Sequence, residues 1–250
     1  VSEGEARGEE TGGFALSRGA WKTGIREALG VPAAVLASGY VGFGALASDA
    51  GFSLTLAIFS TMTIWALPGQ IALIELRALG TAAPALVLAV MLTSARFLPM
   101  TVTLLPILRH PSYRGWHYYL AGHFIAMTGW AVAMRRCPQM PVEQRMAYFI
   151  GFAVALWLAC LAGTLVGFLL SGSLAEIVTL GLVFLNPIYF ILILGGEVRH
   201  RLGVLSLLCG AIAGPLMQLV TPQWGLLVAG ILGGTVAFLI TRVWRERDVP

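Results

Sequence analysis

Few side chains in this sequence are equipped to do chemistry, and Arg96 is the most conspicuous of them. It falls near the middle of a mostly apolar run, 83–108. An arginine at bilayer depth costs at least ~2.5 kcal/mol on insertion scales, so its guanidinium must turn inward and find acceptors. No Asp or Glu lies deep in any apolar run; Glu75 stands near the end of one, beside Arg77. The acceptor is therefore a substrate carboxylate, a set of backbone carbonyls freed elsewhere in the chain, or a group on another subunit.

Two places free such carbonyls. Leu67-Pro68-Gly69-Gln70 and Asn186-Pro187 both interrupt apolar runs. Proline removes an N–H and crowds the preceding helical turn. Irregular backbone at membrane depth is tolerated only inside protein or along a cavity. Two interrupted helices in corresponding positions of two halves point to a transporter binding site, whereas two simple proline kinks would mean only packing. His123, near the start of a short run, is suited either to proton coupling or to an interfacial hydrogen bond.

Other chemistries lack the residues they need. Cys137, Cys160 and Cys209 are far apart, with no Cys-x-x-Cys and no Cys/His cluster at zinc spacing. No Walker A, His-Glu-x-x-His, Gly-x-Ser-x-Gly or Rossmann fingerprint occurs. The expectation is no enzyme, no cofactor and no metal site.

The elements that must hold these residues are set by composition. Of the 250 residues, 58% are hydrophobic and 11% charged, and mean hydropathy is +0.83. A soluble domain carries about 25% charged residues to cover its surface. The chain is accordingly expected to be all-α and polytopic in a lipid bilayer. Spans are expected near 29–47, 54–76, 83–108, 118–134, 146–170, 174–195, 203–219 and 224–241, about eight transmembrane helices, or seven if one broken segment only re-enters. The second and sixth are the expected broken helices. Residues 1–13 read as a disordered tail and 243–250 as a cytoplasmic tail, flanking a transmembrane region at 28–242. Between tail and first span, 14–27 reads as an amphipathic interfacial helix, with Arg18, Lys22 and Arg26 on one side and Trp21, Ile25 and Leu29 beside them. A frayed basic lead-in is the alternative.

The net charge of +4 does not suggest nucleic acid, because the Lys and Arg sit between apolar runs, as topology signals do. With the N-terminus inside and eight spans, thirteen of the fifteen loop and tail Lys/Arg fall inside; only Arg109 and Arg114 fall outside. Both termini are thus expected in the cytoplasm. Gly163-x-x-x-Gly167 and Gly210-x-x-x-Gly214 would allow close helix contact.

The sequence also resembles a family. Ile64-Trp65-Ala66-Leu67-Pro68-Gly69-Gln70 is similar to the second-span motif of the AzlC family, the large subunit of bacterial branched-chain amino-acid exporters, where an aromatic–Ala–Gly–x–x–Gln pattern occurs. Ser94-Ala95-Arg96-Phe97 resembles that family's (Asn/Asp)–x–Arg–His motif. Met127-Thr128 falls where Thr–Asp–Glu is expected, Pro187 where the sixth span has a proline, and Ala229-Gly230-Ile231 resembles the last span. The similarity runs over roughly 18–242. There are departures: the acidic pair after Thr128 is Gly129-Trp130 here, the motif His is Phe97, and the Asn or Asp is Ser94. The resemblance implies an exporter of small apolar amino acids in the bacterial inner membrane, with a small hydrophobic AzlD-type partner. The residues it implies at the substrate are Arg96, Gln70, Gly69, Pro68, Ser94, Thr128, Asn186 and Pro187. The alternatives are a non-transporting scaffold or assembly subunit, and a transporter of a different small carboxylate.

Overall fold

The computed structural model describes residues 17–196, 201–220 and 225–247, and these are helical throughout, with no strand among them. The first helix, α1 (Arg18–Ala28), starts on a Ser17 cap whose Oγ accepts from the Ala20 N–H at 3.5 Å. Its buried side is the stripe of small residues Ala20, Gly24 and Ala28. A Cβ on Gly24 would meet the Phe152 nitrogen at 2.8 Å. The expected interfacial helix is therefore docked on the body of the protein through its small residues, while Leu29, expected on its apolar side, is 64% exposed.

That body is built on α9 (Val142–Leu170), the longest helix, against which α1, α2 (Val31–Asp49) and α3 (Leu54–Thr63) all pack. The α2–α9 contact is close because its residues are small. A Cβ on Gly44 would lie 2.7 Å from the Phe168 nitrogen, and one on Gly163 2.6 Å from the Ala37 carbonyl oxygen; Gly167 abuts the Val41 carbonyl. The Gly163-x-x-x-Gly167 spacing thus marks a true helix contact. The Gly210-x-x-x-Gly214 spacing differs: among the described residues nothing lies within 4 Å of a Cβ at either position, and it is Gly233 that faces Cys209 and Gly210 at 3.3 Å.

Helices α2 and α9 are each long and apolar enough to cross a membrane, with mean hydropathies of 1.5 and 2.3 over their best windows. A third apolar stretch of sufficient length is bent by 46°: α5 (Ala83–Ser94) and α6 (Phe97–Leu108) meet at Ala95-Arg96. The remaining segments are α4 (Leu67–Ala78), α7 (Gly115–His123), α8 (Met127–Arg136) with a single 3-10 turn at Cys137–Gln139, α10 (Glu176–Gly196), α11 (Arg201–Val220) and α12 (Gly225–Arg247). The outward faces of α5 and α10 are apolar, with Met91 65%, Ile177 77% and Ile191 68% exposed, as suits helices solvated by lipid chains. The tails at 1–13 and 248–250 lie outside the described residues.

One expectation about the breaks is overturned. The sixth-span segment is not broken: α10 runs continuously through Asn186 and Pro187. Proline removes one hydrogen bond from a helix, but in a membrane helix neighbouring groups re-satisfy the freed carbonyl and the helix continues. Pro187 itself is exposed. The second interruption lies instead between α7 and α8, where the sequence has no proline at all.

Candidate functional site

Two of the interruptions are built alike. The first joins α3 to α4 through Ile64-Trp65-Ala66, and the second joins α7 to α8 through Phe124-Ile125-Ala126. In each, an alanine in extended conformation precedes the new helix: Ala66 has φ −139° and ψ 91°, and Ala126 has φ −120° and ψ 159°. Each alanine carbonyl then accepts the first helical N–H, from Gln70 at 3.0 Å and from Trp130 at 2.8 Å. The sequences match in register: Ala66-Leu67-Pro68-Gly69 against Ala126-Met127-Thr128-Gly129. At the first break Trp65 adopts φ 39°, the only positive φ outside glycine among the described residues. A bulky residue held there costs of order 1–3 kcal/mol, so the surrounding packing fixes this turn.

Pro68 does not make the break. It occupies the first turn of α4, where its missing N–H would have had no intrahelical partner anyway and its fixed φ suits the helix. The breaks are held against each other by side chains. The Trp65 and Phe124 rings meet edge to face, with centroids 6.4 Å apart, and Phe124 meets Trp157 of α9 in the same way at 5.7 Å.

A small cavity of about 30 Å³ opens where the breaks meet. Its floor is the start of the two half-helices, Trp65 to Pro68 and Ala126 to Thr128. Arg96 and Phe97 enter from the bend between α5 and α6, and Leu36 and Tyr40 close it from α2. Two of its polar groups lack a partner among the described residues: the buried Nε of Arg96 and the Oγ1 of Thr128, a residue with 0% exposure. The Arg96 guanidinium carbon lies 5.3 Å from the centre of the Phe97 ring. The first N–H groups of a helix have no intrahelical partner and carry roughly half a positive charge between them. Two such ends and an arginine surround this one cavity, so its field favours an anion. A space of this size takes a single water; anything larger requires α4, α6 and α8 to separate.

Of the residues singled out in the sequence, Pro68, Arg96 and Thr128 line the cavity. Three others are beside it without reaching it. Gly69 is backed by α5, where a Cβ would meet Thr93 Oγ1 at 2.9 Å. Ser94 ends α5, half-buried. Gln70 faces away from the cavity into the interior: its Nε2 donates to Ser60 Oγ and Thr61 Oγ1, both at 3.0 Å, and Thr61 Oγ1 lies 3.0 Å from Thr164 Oγ1 on α9. It straps the two halves of the broken span together and to α9. Asn186 and Pro187 are on α10, and no described residue of α10 lines the cavity. The sequence reading missed Tyr40, Trp65, Phe97 and Met127. Its missed signal was the recurrence of Ala-x-x-Gly at the two breaks.

The family model described as AzlC protein matches residues 33–174, which include every residue lining the cavity. No curated protein matches the chain. No solved structure matches it either.

Proposed function

The chain belongs to the AzlC family, a membrane-protein family associated with branched-chain amino-acid transport, and from that premise we propose that it is the large subunit of a secondary transporter that exports branched-chain or other small apolar amino acids. One observation carries this reading: two half-helix N-termini, Arg96 and Thr128 converge on a single cavity whose other walls are mostly apolar and aromatic. The substrate carboxylate sits between the ends of α4 and α8. It accepts from the first-turn amides and from Thr128 Oγ1 and pairs with Arg96, whose planar fork matches a carboxylate. Leu36, Trp65, Phe97 and Met127 receive the aliphatic tail. The ammonium group turns toward the carbonyl end of α7, the negative end of that helix.

The 30 Å³ cavity then belongs to an occluded, unloaded state. Export is alternating access, in which the half-helices α4 and α8 move against the α2–α9 body. We read α3–α4, α5–α6 and α7–α8 as one span each, which gives eight spans with both termini in the cytoplasm of a bacterial cell. A small hydrophobic AzlD-type subunit is the partner. The acidic pair of the family motif is Gly129-Trp130 here, so the ammonium must be held by backbone. That predicts a broader choice among small carboxylates than a carboxylate-lined site would allow.

The test is efflux. Proteoliposomes containing the chain and its partner subunit, loaded with labelled leucine, valine or a small hydroxy acid, should release the label faster than empty vesicles do. Release at the empty-vesicle rate for all of them would replace this reading with a scaffold. A reporter fused after Pro250 and active only outside the cell would overturn the orientation.

A further inference from the structure

Behind the first break lies a second polar cluster, sealed from the cavity. Ser60 and Thr61 are in the last turn of α3, Gln70 is in α4 and Thr164 in α9, and none is more than 3% exposed. The hydroxyl protons are already committed to helix carbonyls. Ser60 Oγ donates to the Ala57 carbonyl at 2.8 Å, Thr61 Oγ1 lies 3.2 Å from the same oxygen, and Thr164 Oγ1 donates to the Cys160 carbonyl at 3.0 Å. Lone pairs therefore face inward, with the Thr61 and Thr164 oxygens 3.0 Å apart. The amide of Gln70 supplies the only side-chain donors to this group, to Ser60 and Thr61. Its own Oε1 is buried with no donor. Three buried hydroxyl oxygens thus gather at the Gln70 amide, and its Oε1 is a buried acceptor without a donor, which is costly.

The backbone field has the sign that would relieve this. The cluster sits at the C-terminal end of α3, where a helix carries about half a negative charge and its last carbonyls lack intrahelical partners. The first break therefore has two faces of opposite polarity: helix N-termini around the cavity on one side, a helix C-terminus with gathered hydroxyl and amide oxygens on the other. What fits the second face is a positive species small enough to be enclosed by four sealed side chains, which excludes an ammonium attached to an amino acid. Hydroxyl, amide and carbonyl oxygens are hard ligands, and the set is uncharged, which suits a monovalent ion better than a divalent one, whose desolvation is costlier.

We propose that this cluster is a Na⁺ site, with Ser60 Oγ, Thr61 Oγ1, Thr164 Oγ1 and Gln70 Oε1 as side-chain ligands at the C-terminal end of α3. A half-turn of the Gln70 amide exchanges Nε2 for Oε1 and brings the fourth oxygen to the ion without moving the backbone. Bound there, Na⁺ ties α3, α4 and α9 together and fixes the geometry of the break. The site stands on its own; only its role as the ion coupled to export rests on the proposed transport function.

The experiment is thermal unfolding of the purified chain, without amino acid, in NaCl, KCl or choline chloride at equal ionic strength. A ligand that binds only the folded state raises the midpoint as its concentration rises above its dissociation constant. The expected result is a saturable rise with Na⁺ and none with K⁺ or choline. Thr164→Val, which removes one ligand oxygen at nearly constant volume, should raise the half-saturating Na⁺ concentration at least tenfold, and Ser60→Ala should do the same if Thr164→Val does not fold. Equal midpoints in the three salts overturn the proposal, as does a Na⁺ response that both variants leave unchanged. Leucine binding, measured separately in choline chloride, keeps the two readings apart: binding that persists there beside equal midpoints removes the ion site and leaves the substrate site in place.

Discussion

The Nε2 of His123, at the end of α7, lies 3.1 Å from the carbonyl oxygen of Met62, in the last turn of α3. The helix pairs α3–α4 and α7–α8 are therefore joined at the ends of their first helices, just as Trp65 and Phe124 join them at the breaks. A carbonyl near a helix C-terminus lacks its intrahelical donor, and His123 supplies one. His123→Ala should lower stability by about 1 kcal/mol, the usual net worth of such a bond, and His123→Gln, which retains a donor, should recover part of it. Melting temperatures of the three proteins in one detergent decide the matter: equal values for wild type and His123→Ala would mean the contact carries no stability.

Pro68 looks like the cause of the break in sequence and sits in the first turn of α4 in the structure. Pro68→Ala therefore should not straighten the span. It adds an N–H pointing toward the cavity and frees φ at one residue of the unfolded chain, a change worth about 0.4–1 kcal/mol of stability. Expression and melting temperature should stay close to wild type, and leucine efflux should persist. The position that fixes the break is Trp65, with its positive φ and its ring against Phe124. Trp65→Ala keeps the strained backbone and removes the ring contact, so it should lose efflux in protein that still reaches the membrane. Abolished efflux in Pro68→Ala beside normal efflux in Trp65→Ala would reverse these assignments.

The contrast shows what the sequence could carry. Helical class follows from composition, because only helices or closed barrels satisfy every backbone group in lipid and the apolar runs are far too long for strands. The α2–α9 contact was legible in Gly163 and Gly167 because small residues at that spacing have one simple use. The breaks were not. Proline marks where a helix is able to break, and α10 runs through Pro187 unbroken. The turn at Phe124-Ile125-Ala126 contains no helix breaker, so tertiary contacts from Trp65 and Trp157 hold it open, and such contacts are invisible along the chain. Gln70 is ambiguous in sequence for a related reason: a glutamine beside a break suits a ligand and a strut equally, and it takes the positions of Ser60, Thr61 and Thr164 to show that its amide points into the interior.

The small-residue stripe of α1 places Glu27 beside Arg136, at the far end of α8. The two side chains form an ion pair, with Arg136 Nε donating to Oε2 at 3.2 Å, and the Tyr148 hydroxyl donates to the same carboxylate at 2.6 Å. The Arg136 hydrogen bond, with smaller help from Tyr148, holds the Glu27 carboxyl below the usual carboxylate range against the opposing effect of burial. A carboxyl whose folded pKa is depressed stabilises the fold fully above its unfolded value, near 4.3, and loses that contribution as pH falls through the folded value. Glu27→Gln should then be less stable than wild type at pH 7 by up to about 1 kcal/mol, since both partners are partly exposed. The difference should shrink below about pH 4 as the wild-type carboxyl takes up its proton. Melting temperatures of both proteins at pH 7 and pH 3.5 test this, and a difference that stays constant between the two would remove the latch from the stability of the fold.

Arg96 is the residue on which the substrate reading turns, and two replacements separate its roles. Arg96→Lys keeps a charge but not the planar fork. Arg96→Met keeps much of the length and removes the charge, along with the insertion cost of at least ~2.5 kcal/mol. The buried Nε has no partner among the described residues, so little of the unloaded fold depends on it. Both variants should therefore insert and melt near the wild-type temperature, with Met equal or slightly higher. Leucine binding should weaken in both, more in Met, by about 2–5 kcal/mol, because truncating one partner of a buried charge pair leaves the other unpaired. If the guanidinium instead ties the bend at Ala95-Arg96 to neighbouring carbonyls, Met will melt at a lower temperature before any ligand is added. A stable Arg96→Met protein that binds leucine with wild-type affinity would take Arg96 out of the site and leave the two half-helix N-termini and Thr128 to hold the carboxylate alone.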